Sequence, residues 1–248
     1  MHPVILNLFE RLPRQGPGDA ASTRRALATF GVLRDDALVV DFGCGTGAST
    51  FELLQATRAR VAAVDRHLPF LDRLRDHALR RGLEQRLVCI RADMARPPFD
   101  DHSVDLIWAE GAIGHVGFEE GLRRWRRLLK PGAGVAVSHL TWLQPPRERA
   151  PEAVAWWNAA APGMCAASEN AEIARRAGYE VVEAFVLPVS AWWEHYYLPL
   201  AVRIDMARLE IGDDHPASAP LAALAREIAL FRAHGDTYGY VFYLLRSS

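Results

Sequence analysis

The sequence has few cysteines, no charge imbalance and no long apolar run. Its three cysteines, Cys44, Cys89 and Cys165, lack the spacing of a metal site or a disulfide framework, which indicates a reducing compartment. The 29 basic and 30 acidic side chains nearly cancel, which argues against a nucleic-acid groove or a polybasic membrane surface. No apolar segment approaches the roughly 20 residues that a spanning helix needs, and the N-terminus does not have a signal-peptide pattern. We therefore expect a cytoplasmic protein with no metal site and no nucleic-acid or membrane partner.

The N-terminal half alternates short apolar strands with helical stretches. This alternation predicts right-handed crossovers and a doubly wound parallel sheet, the α/β class. Strands are predicted at 37–42, 60–65, 86–91, 104–109, 135–139, 180–187 and 238–245. Helices are predicted at 48–57, 68–80, 117–129 and 170–177, with a helix stop and turn at Lys130-Pro131-Gly132.

The second half departs from this alternation. The segment 141–163 is rich in proline, tryptophan and alanine and is predicted to pass over the carboxyl edge of the sheet. The segment 188–237 is too long for an ordinary connection, and its periodicity predicts two helices near 193–209 and 220–234, broken at 212–219. The prediction is a single domain over 1–248, made of an N-terminal helical segment (1–36), a cofactor-binding core (37–140) and cap insertions (141–165 and 188–237).

The strongest signal is the stretch VVDFGCGTG at residues 39–47. A strand leads into a glycine-rich turn, and a helix starts directly after it. Glycine lets a ligand lie against the backbone and tolerates positive φ, and the start of the helix offers unpaired N–H groups to a carboxylate or phosphate. Asp65 ends the second strand, 18 positions after Gly47, near the spacing of a partner for ribose hydroxyls. The pattern predicts a site for a nucleoside with a free ribose diol.

More than one kind of protein fits this loop. Gly43-x-Gly45-x-x-Ala48 also matches the dinucleotide fingerprint, which leaves an NAD(P)-dependent oxidoreductase open. A non-catalytic nucleoside-binding protein is a third possibility. Against the oxidoreductase, Asp41 would oppose a pyrophosphate but would favour the ammonium group of an amino acid, and the sequence has no Tyr-x-x-x-Lys proton relay.

Further motifs follow the next strands. Ala92-Asp93 follows the third strand, Glu110 closes the fourth, and LLKPGA at 128–133 precedes the fifth. Together with Asp41–Gly47 and Asp65, these motifs resemble the class I S-adenosylmethionine-dependent methyltransferases, in particular the small-molecule type 11 group, over about residues 16–140. The resemblance implies a Rossmann-like seven-stranded sheet of order 3-2-1-4-5-7-6, with strand seven antiparallel and a helical cap between the last two strands.

The same resemblance implies S-adenosyl-L-methionine as cofactor and S-adenosyl-L-homocysteine as product. The glycines would approach the methionine part, Asp65 would bind the ribose, Asp93 and Met94 would frame the adenine, and Glu110 would position the cofactor or the substrate. The implied cofactor-binding residues are Gly18, Asp41, Gly43, Gly45, Gly47, Asp65, Arg66, Asp93, Met94 and Glu110.

Transfer of a sulfonium methyl requires an acceptor held in line in a dry pocket. Where the acceptor carries a proton, a base is needed as well, and histidine suits neutral pH. The candidate catalytic bases are His115 just after strand four, His139 at the end of strand five, and His195 in the cap. A structural, hydrogen-bonded role is the alternative for each of them.

Aromatic residues concentrate in the cap, at Trp142, Trp192, Trp193, Tyr196 and Tyr197. Two i,i+4 pairs among them, 192 with 196 and 193 with 197, predict aromatic columns on adjacent helix faces. These rings either attach the cap to the sheet or form a cage for a planar or cationic substrate. The sequence thus predicts methyl transfer by direct in-line displacement to a small-molecule acceptor, in a chain that is a possible homodimer.

Overall fold

The computed structural model describes residues 2–212 and 215–247, and seven of its strands form one sheet in the order β3-β2-β1-β4-β5-β7-β6. Neighbours from β3 across to β5 are parallel, whereas β7 is antiparallel to both β5 and β6. The predicted fold class and strand order are confirmed. The strands are β1 (Leu38–Phe42), β2 (Arg60–Asp65), β3 (Leu87–Arg91), β4 (Val104–Glu110), β5 (Leu129–Trp142), β6 (Tyr179–Val186) and β7 (Tyr238–Ser247).

Helices flank the sheet and extend beyond its carboxyl edge. Within the described residues, none of them combines the length and the apolar character that crossing a bilayer requires. The helices are α1 (Pro3–Glu10), α2 (Ala20–Ala28), α3 (Ala48–Ala56), α4 (Leu68–Arg80), α5 (Phe118–Arg126), α6 (Pro151–Ala160), α7 (Ala167–Arg176), α8 (Val189–Trp192), α9 (Leu198–Ile211) and α10 (Ser218–His234), and a π-helical turn (Trp193–Tyr197) joins α8 to α9.

The central strands are buried on both faces, which explains their continuous apolar sequences. Successive side chains of a strand point to opposite faces. Val39 therefore packs into the cluster beneath α2, α3 and α4, while Val40 packs beneath α5 and α7, and both are fully buried. Both faces of the sheet are thus covered by helices, and functional side chains are left to its edges.

A third apolar cluster joins the cap to the carboxyl edge of the sheet. It combines residues of α1, α6, α8, α9 and α10 with Leu140, Trp142 and Tyr238 at the ends of β5 and β7. Helices α8 to α10 lie between β6 and β7, where the cap was predicted. We use the word cap below for residues 188–237.

The structure differs from the sequence-based expectation around β5. The predicted helix 117–129 ends at Arg126, and the strand predicted at 135–139 runs from Leu129 to Trp142. The expected turn at Lys130-Pro131-Gly132 is instead an irregularity within the strand, because the pairing skips from Val104↔Leu129 to Leu106↔Gly134. Leu129 is buried and Lys130 pairs with Asp105 at 2.7 Å. These two contacts stabilise the segment as part of the sheet, in place of the expected turn.

The cap also differs in detail. The helix predicted near 193–209 begins earlier, as α8, and contains the π-helical turn before α9. The predicted break at 212–219 agrees with the end of α9 at Ile211 and the start of α10 at Ser218, although residues 213 and 214 of that break lie outside the described residues.

Candidate active site

The glycine-rich turn lies at the carboxyl end of β1, between the ends of β2 and β4. Gly43, Gly45 and Gly47 have φ values of 68°, 54° and 94°, a region that residues with a side chain rarely adopt. The amides of Gly43 and Cys44 donate to the carbonyl oxygen of Val64 at 2.8 and 3.2 Å, which fixes the turn against β2. The turn that the sequence predicted is therefore present, with the backbone conformation that its glycines allow.

Asp65 closes β2 beside this turn. One oxygen of its carboxylate accepts a hydrogen bond from the Gly45 amide at 3.0 Å, and the other accepts from the His67 amide at 2.8 Å. Each carboxylate oxygen has further lone pairs. The residue predicted to hold a ribose thus has a fixed orientation next to the loop and retains capacity to accept hydrogen bonds.

Asp41 lies beneath the loop and is fully buried. Its Oδ2 accepts from the hydroxyls of Thr50 at 2.6 Å and Ser49 at 3.0 Å, while Oδ1 is buried without a partner among the described residues. Burial raises the pKa of this carboxyl to about 7; the two hydroxyls oppose that rise and the nearby charge of Glu110 adds to it. An unsatisfied carboxylate oxygen at this position favours a cationic or hydrogen-bond-donating neighbour.

Glu110 ends β4 and is held by three donors. It forms a salt bridge with Arg14, and its Oε1 accepts from the Thr23 hydroxyl at 2.6 Å and the Trp108 indole at 2.9 Å. The Glu110 side chain is 6% exposed and that of Arg14 is 11% exposed. This buried ion pair lies at the carboxyl ends of β1, β2 and β4, the region called the crevice below, and its basic member comes from the N-terminal segment.

Residues 3–19, called the strap below, cross the carboxyl edge of the sheet. Gln15 binds the glycine-rich turn: its Oε1 accepts from the Thr46 amide at 2.9 Å, and its Nε2 donates to the Thr46 hydroxyl at 3.1 Å. A Cβ on Gly45 would collide with this Oε1. Glu10 pairs with His67 beyond β2 at 2.9 Å, so the strap spans the ends of β2, β1 and β4.

The family resemblance implied that Gln15-Gly16-Pro17-Gly18 folds over the methionine end of the cofactor, and of these four residues only Gly18 was assigned to the site. Gly18 is buried; its amide donates to the carbonyl oxygen of Ala191 at 3.2 Å, and the guanidinium of Arg14 packs against it. The contacts of Gln15 with Thr46 and of Arg14 with Glu110 were not predicted, because no local pattern marks a contact with a residue about 30 or 100 positions away. The sequence signal available for the strap was the group of turn-forming residues just before α2.

The residues predicted to frame an adenine lie at the end of β3. The Ala92 amide donates to the Asp65 carbonyl at 3.2 Å, which brings this segment next to β2. Asp93 is exposed and accepts from the Ala95 amide, and the Met94 sulfur lies 3.9 Å from the position that a Cβ on Gly43 would take. The Arg66 side chain is exposed. Met94 thus borders the turn, whereas Asp93 and Arg66 lie at the rim, and the cofactor role of all three stays a prediction.

The three candidate bases are not brought together. His115 lies in a short 3-10 turn after β4 and is exposed, and His195 is exposed on the π-helical turn. His139 lies three residues before the end of β5, not at its end, and stacks on Phe118 with the ring centroids 5.0 Å apart. Burial lowers the pKa of His139 to about 4. This ring is neutral and weakly basic near pH 7, which favours a packing role over proton transfer.

The predicted aromatic columns are rearranged by the π-helical turn. Trp192 contacts Tyr197, five residues on, with ring centroids 5.5 Å apart, and Trp193 also contacts Tyr197, at 5.7 Å. The predicted i,i+4 contact of Trp192 with Tyr196 was therefore wrong. In a π-helical turn the residues that lie over each other are five positions apart instead of four. Trp192 stacks on Phe231 at 4.4 Å, and Trp142 contacts Tyr238 at 6.3 Å.

Most of these rings form the interior of the cap. Trp142, Trp192, Tyr196 and Tyr197 are at most 6% exposed, while Trp193 is half-buried. They attach the cap to the sheet, which is one of the two roles expected from the sequence. Within residues 2–212 and 215–247, no group of three or more histidine, cysteine or acidic side chains is arranged to hold a metal ion.

Comparisons with known proteins agree with this geometry. Residues 39–132 match a family model described as a methyltransferase domain. A SAM-dependent methyltransferase from Geobacter sulfurreducens, solved in complex with S-adenosyl-L-homocysteine, superposes with a TM-score of 0.83 and 18% identity, covering 100% of this chain and 99% of that one. The [4+2]-cyclase SpnF superposes with a TM-score of 0.74 and 19% identity, covering 99% and 91%. At these identities the structural likeness establishes the fold alone.

Among curated proteins, 24-methylenesterol C-methyltransferase 2 of Arabidopsis thaliana is 27% identical over 197 residues, which is 75% of this chain and 52% of the relative. The chain spans about a third to a half of the length of the first curated relatives it matches. The family-model match over residues 39–132 includes the glycine-rich turn and the ends of β2 and β4.

Proposed function

We propose that this chain is a class I S-adenosylmethionine-dependent methyltransferase and that it transfers a methyl group from S-adenosyl-L-methionine to a small-molecule acceptor; its fold and its matched domain support the proposal. The observation that carries the proposal is the pair of carboxylates beside the glycine-rich turn. Asp41 lies beneath it with one unpartnered oxygen, and Asp65 is oriented by the Gly45 amide.

These carboxylates fit a cationic nucleoside better than a dinucleotide. A pyrophosphate in this turn would lie above a buried acidic group, and the repulsion between like charges disfavours it. The ammonium and sulfonium groups of S-adenosyl-L-methionine are positive and are attracted there. The family match and the structural relatives described above give the oxidoreductase alternative no support.

The residues of this chain have distinct roles in the proposal. Asp65 accepts hydrogen bonds from the ribose hydroxyls, Met94 and Asp93 border the adenine, and the Arg14–Glu110 pair offers one charge of each sign to the zwitterionic amino-acid tail. When bound, the cofactor supplies an electrophilic methyl group on a sulfonium. The strap covers the turn and excludes water, which strengthens every electrostatic contact inside the crevice.

The acceptor binds, in this proposal, between the carboxyl edge of the sheet and the cap. The Arabidopsis relative is named for a sterol carbon as its methylation site, so an apolar acceptor under an aromatic cap is one candidate. For an acceptor that carries a proton, the exposed His115 and His195 are better candidate bases than the buried, weakly basic His139, and direct in-line displacement needs no covalent intermediate. We also propose a cytoplasmic location, and self-association through the cap stays open to measurement.

Calorimetric titration tests the cofactor assignment with a matched pair of variants. Gly45→Ala and Gly82→Ala both place a Cβ at positive φ, at 54° and 65°, but only the Cβ at Gly45 has a neighbour within 4 Å. Each variant is expected to lose about 1–2 kcal/mol of unfolding free energy. Only Gly45→Ala is expected to lose affinity for S-adenosyl-L-homocysteine, by more than tenfold, and wild type is expected to prefer this ligand to NAD.

Equal affinities in the two variants would remove the turn from the cofactor site, and tighter binding of NAD would restore the oxidoreductase. Because the SpnF cyclase shares the fold, binding alone does not establish methyl transfer. Release of labelled S-adenosyl-L-homocysteine with a candidate acceptor, and none without it, separates the enzyme from a nucleoside-binding protein.

A further inference from the structure

Glu227 is a half-buried acidic residue of the cap. It lies on α10, and its Oε1 accepts a hydrogen bond from the Tyr197 hydroxyl at 2.9 Å. Burial raises its pKa, and the bond from Tyr197 opposes the rise. Within the described part of the chain, no arginine, lysine or histidine pairs with it.

The basic residues of the same helix are directed elsewhere. Arg226 lies over the Trp156 ring at 5.4 Å and pairs with Glu152 at 3.9 Å, and Arg232 lies over Trp193 at 5.3 Å. A carboxylate that is partly removed from water is stabilised by a cation or by several donors, and Glu227 has one donor, Tyr197. The cap therefore contains an acidic group whose positive partner is not supplied by the described residues.

Tyr197, which donates to this carboxylate, belongs to a group of four tyrosines: Tyr196 contacts Tyr197 with ring centroids 5.0 Å apart, and Tyr238 and Tyr240 contact Trp192, which itself contacts Tyr197. After the larger effect of burial, the charge of Glu227 raises the pKa of the hydroxyls of Tyr196, Tyr197, Tyr238 and Tyr240, which places all four within electrostatic range. The Tyr238 hydroxyl is buried without a hydrogen-bond partner among the described residues. Aromatic faces carry negative potential and attract cations, so the rings and the carboxylate favour the same kind of ligand.

The tyrosine group is continuous with the crevice. The Tyr240 ring lies 3.5 Å from the position that a Cβ on Gly111 would take, and Gly111 directly follows Glu110 at the end of β4. Tyr240 also contacts Trp192 of the cap, with ring centroids 5.2 Å apart. The aromatic group that contains Tyr197 and Tyr240 thus extends to the strand end that borders the proposed cofactor site.

We propose that Glu227 and these four tyrosines form the acceptor subsite, and that the acceptor presents a cationic ammonium group to it. This inference rests on the proposed function, because it assigns the acceptor of that same crevice. The sequence pattern identified the aromatic residues of the cap but not Glu227, which is one of 30 acidic residues and has no motif around it. A packing role for Glu227, protonated within the cap, is the alternative that the test must separate.

Tetramethylammonium and tert-butanol are suitable probes, since they have similar size and differ in charge. Tryptophan fluorescence titration of the wild-type chain is expected to show at least tenfold tighter binding of tetramethylammonium. Absence of binding, or equal binding of the two probes, would overturn the proposal without any variant. Affinity for S-adenosyl-L-homocysteine is measured in parallel, so that failure of the cofactor assignment is recognised separately.

The variant Glu227→Gln keeps the shape and the acceptor for Tyr197 but removes the charge. It is expected to bind tetramethylammonium at least tenfold more weakly than wild type and to bind S-adenosyl-L-homocysteine equally well. Glu210→Gln, at an exposed position of α9, is the matched control and should leave both affinities unchanged. Unchanged tetramethylammonium affinity in a folded Glu227→Gln would identify a packing role and refute the subsite.

Discussion

At the scale of single residues, Asp41 and Asp65 lie at the ends of neighbouring strands but in opposite environments. Asp41 is fully buried, whereas Asp65 is half-buried and oriented by two backbone amides. Burial disfavours the charged form of a carboxyl, and hydrogen bonds from amides favour it. The first residue therefore responds to pH, and the second offers a fixed acceptor.

Asp41 should make stability fall as pH rises. Its pKa is about 7 in the folded chain and near 3.9 in an unfolded one, so the folded state binds more protons between about pH 4 and pH 7. Asp41→Asn lacks this titration, and its unfolding free energy relative to wild type should increase across that window, by at most about 4 kcal/mol. Urea denaturation of both proteins at a series of pH values provides the measurement.

The comparison with Asp41→Asn is needed because His139 has the opposite effect. Its pKa of about 4 lies below the unfolded value, so its contribution grows as pH rises from about 4 to 6.5. Both proteins contain His139, and its contribution cancels in their difference. Unfolding free energies that keep a constant offset over the whole pH range would show that Asp41 is not protonated in the folded state.

Asp65 should control affinity for the nucleoside. Asp65→Asn removes the negative charge of the group to which the ribose hydroxyls donate. The binding free energy of S-adenosyl-L-homocysteine should therefore be weaker in this variant by about 1.5–3 kcal/mol. The control is Asp101→Asn, which alters an exposed ion pair with Arg127. Calorimetry should find wild-type affinity in the control; wild-type affinity in Asp65→Asn as well would reject the ribose assignment.

At the scale of elements, the strand–turn–helix unit of β1 and α3 was predictable because its signals are local. Three glycines at alternating positions require a tight turn, and the apolar run before them requires a buried strand. The contacts of the strap were not predictable in this way, since they join residues far apart in the sequence. The π-helical turn also escaped prediction, because no residue between Trp193 and Tyr197 distinguishes it from an α-helical turn.

The strap should control how fast the cofactor exchanges. Gln15→Ala removes the bonds to Thr46 and those that Nε2 donates to the carbonyl oxygens of Phe9 and Leu12, at 3.1 and 3.3 Å. Each such bond contributes about 0.5–1.5 kcal/mol, so the strap should open more often. Stopped-flow fluorescence is expected to show faster association and faster dissociation of S-adenosyl-L-homocysteine.

Gln55→Ala, at an exposed position of α3, is the control for this experiment. Its exchange rates should equal those of wild type. If Gln15→Ala also exchanges the ligand at the wild-type rate, the strap does not limit access to the crevice.

At the scale of the whole molecule, the sheet, the strap and the cap meet at one edge. The strap covers the glycine-rich turn from one side, and the cap packs on the ends of β5 and β7 from the other. The order of the strands was implied by the family resemblance that the sequence motifs carry, but the closed arrangement of strap and cap depends on tertiary contacts. We therefore propose that the sheet binds the cofactor and that the cap selects the acceptor.

A crystal structure of the chain with S-adenosyl-L-homocysteine tests this account most directly. It should show the ribose hydroxyls within hydrogen-bonding distance of Asp65, the adenine beside Met94, and the amino-acid tail between the glycine-rich turn and the Arg14–Glu110 pair. A ligand bound elsewhere, with the crevice between β1, β2 and β4 left empty, would contradict the central claim.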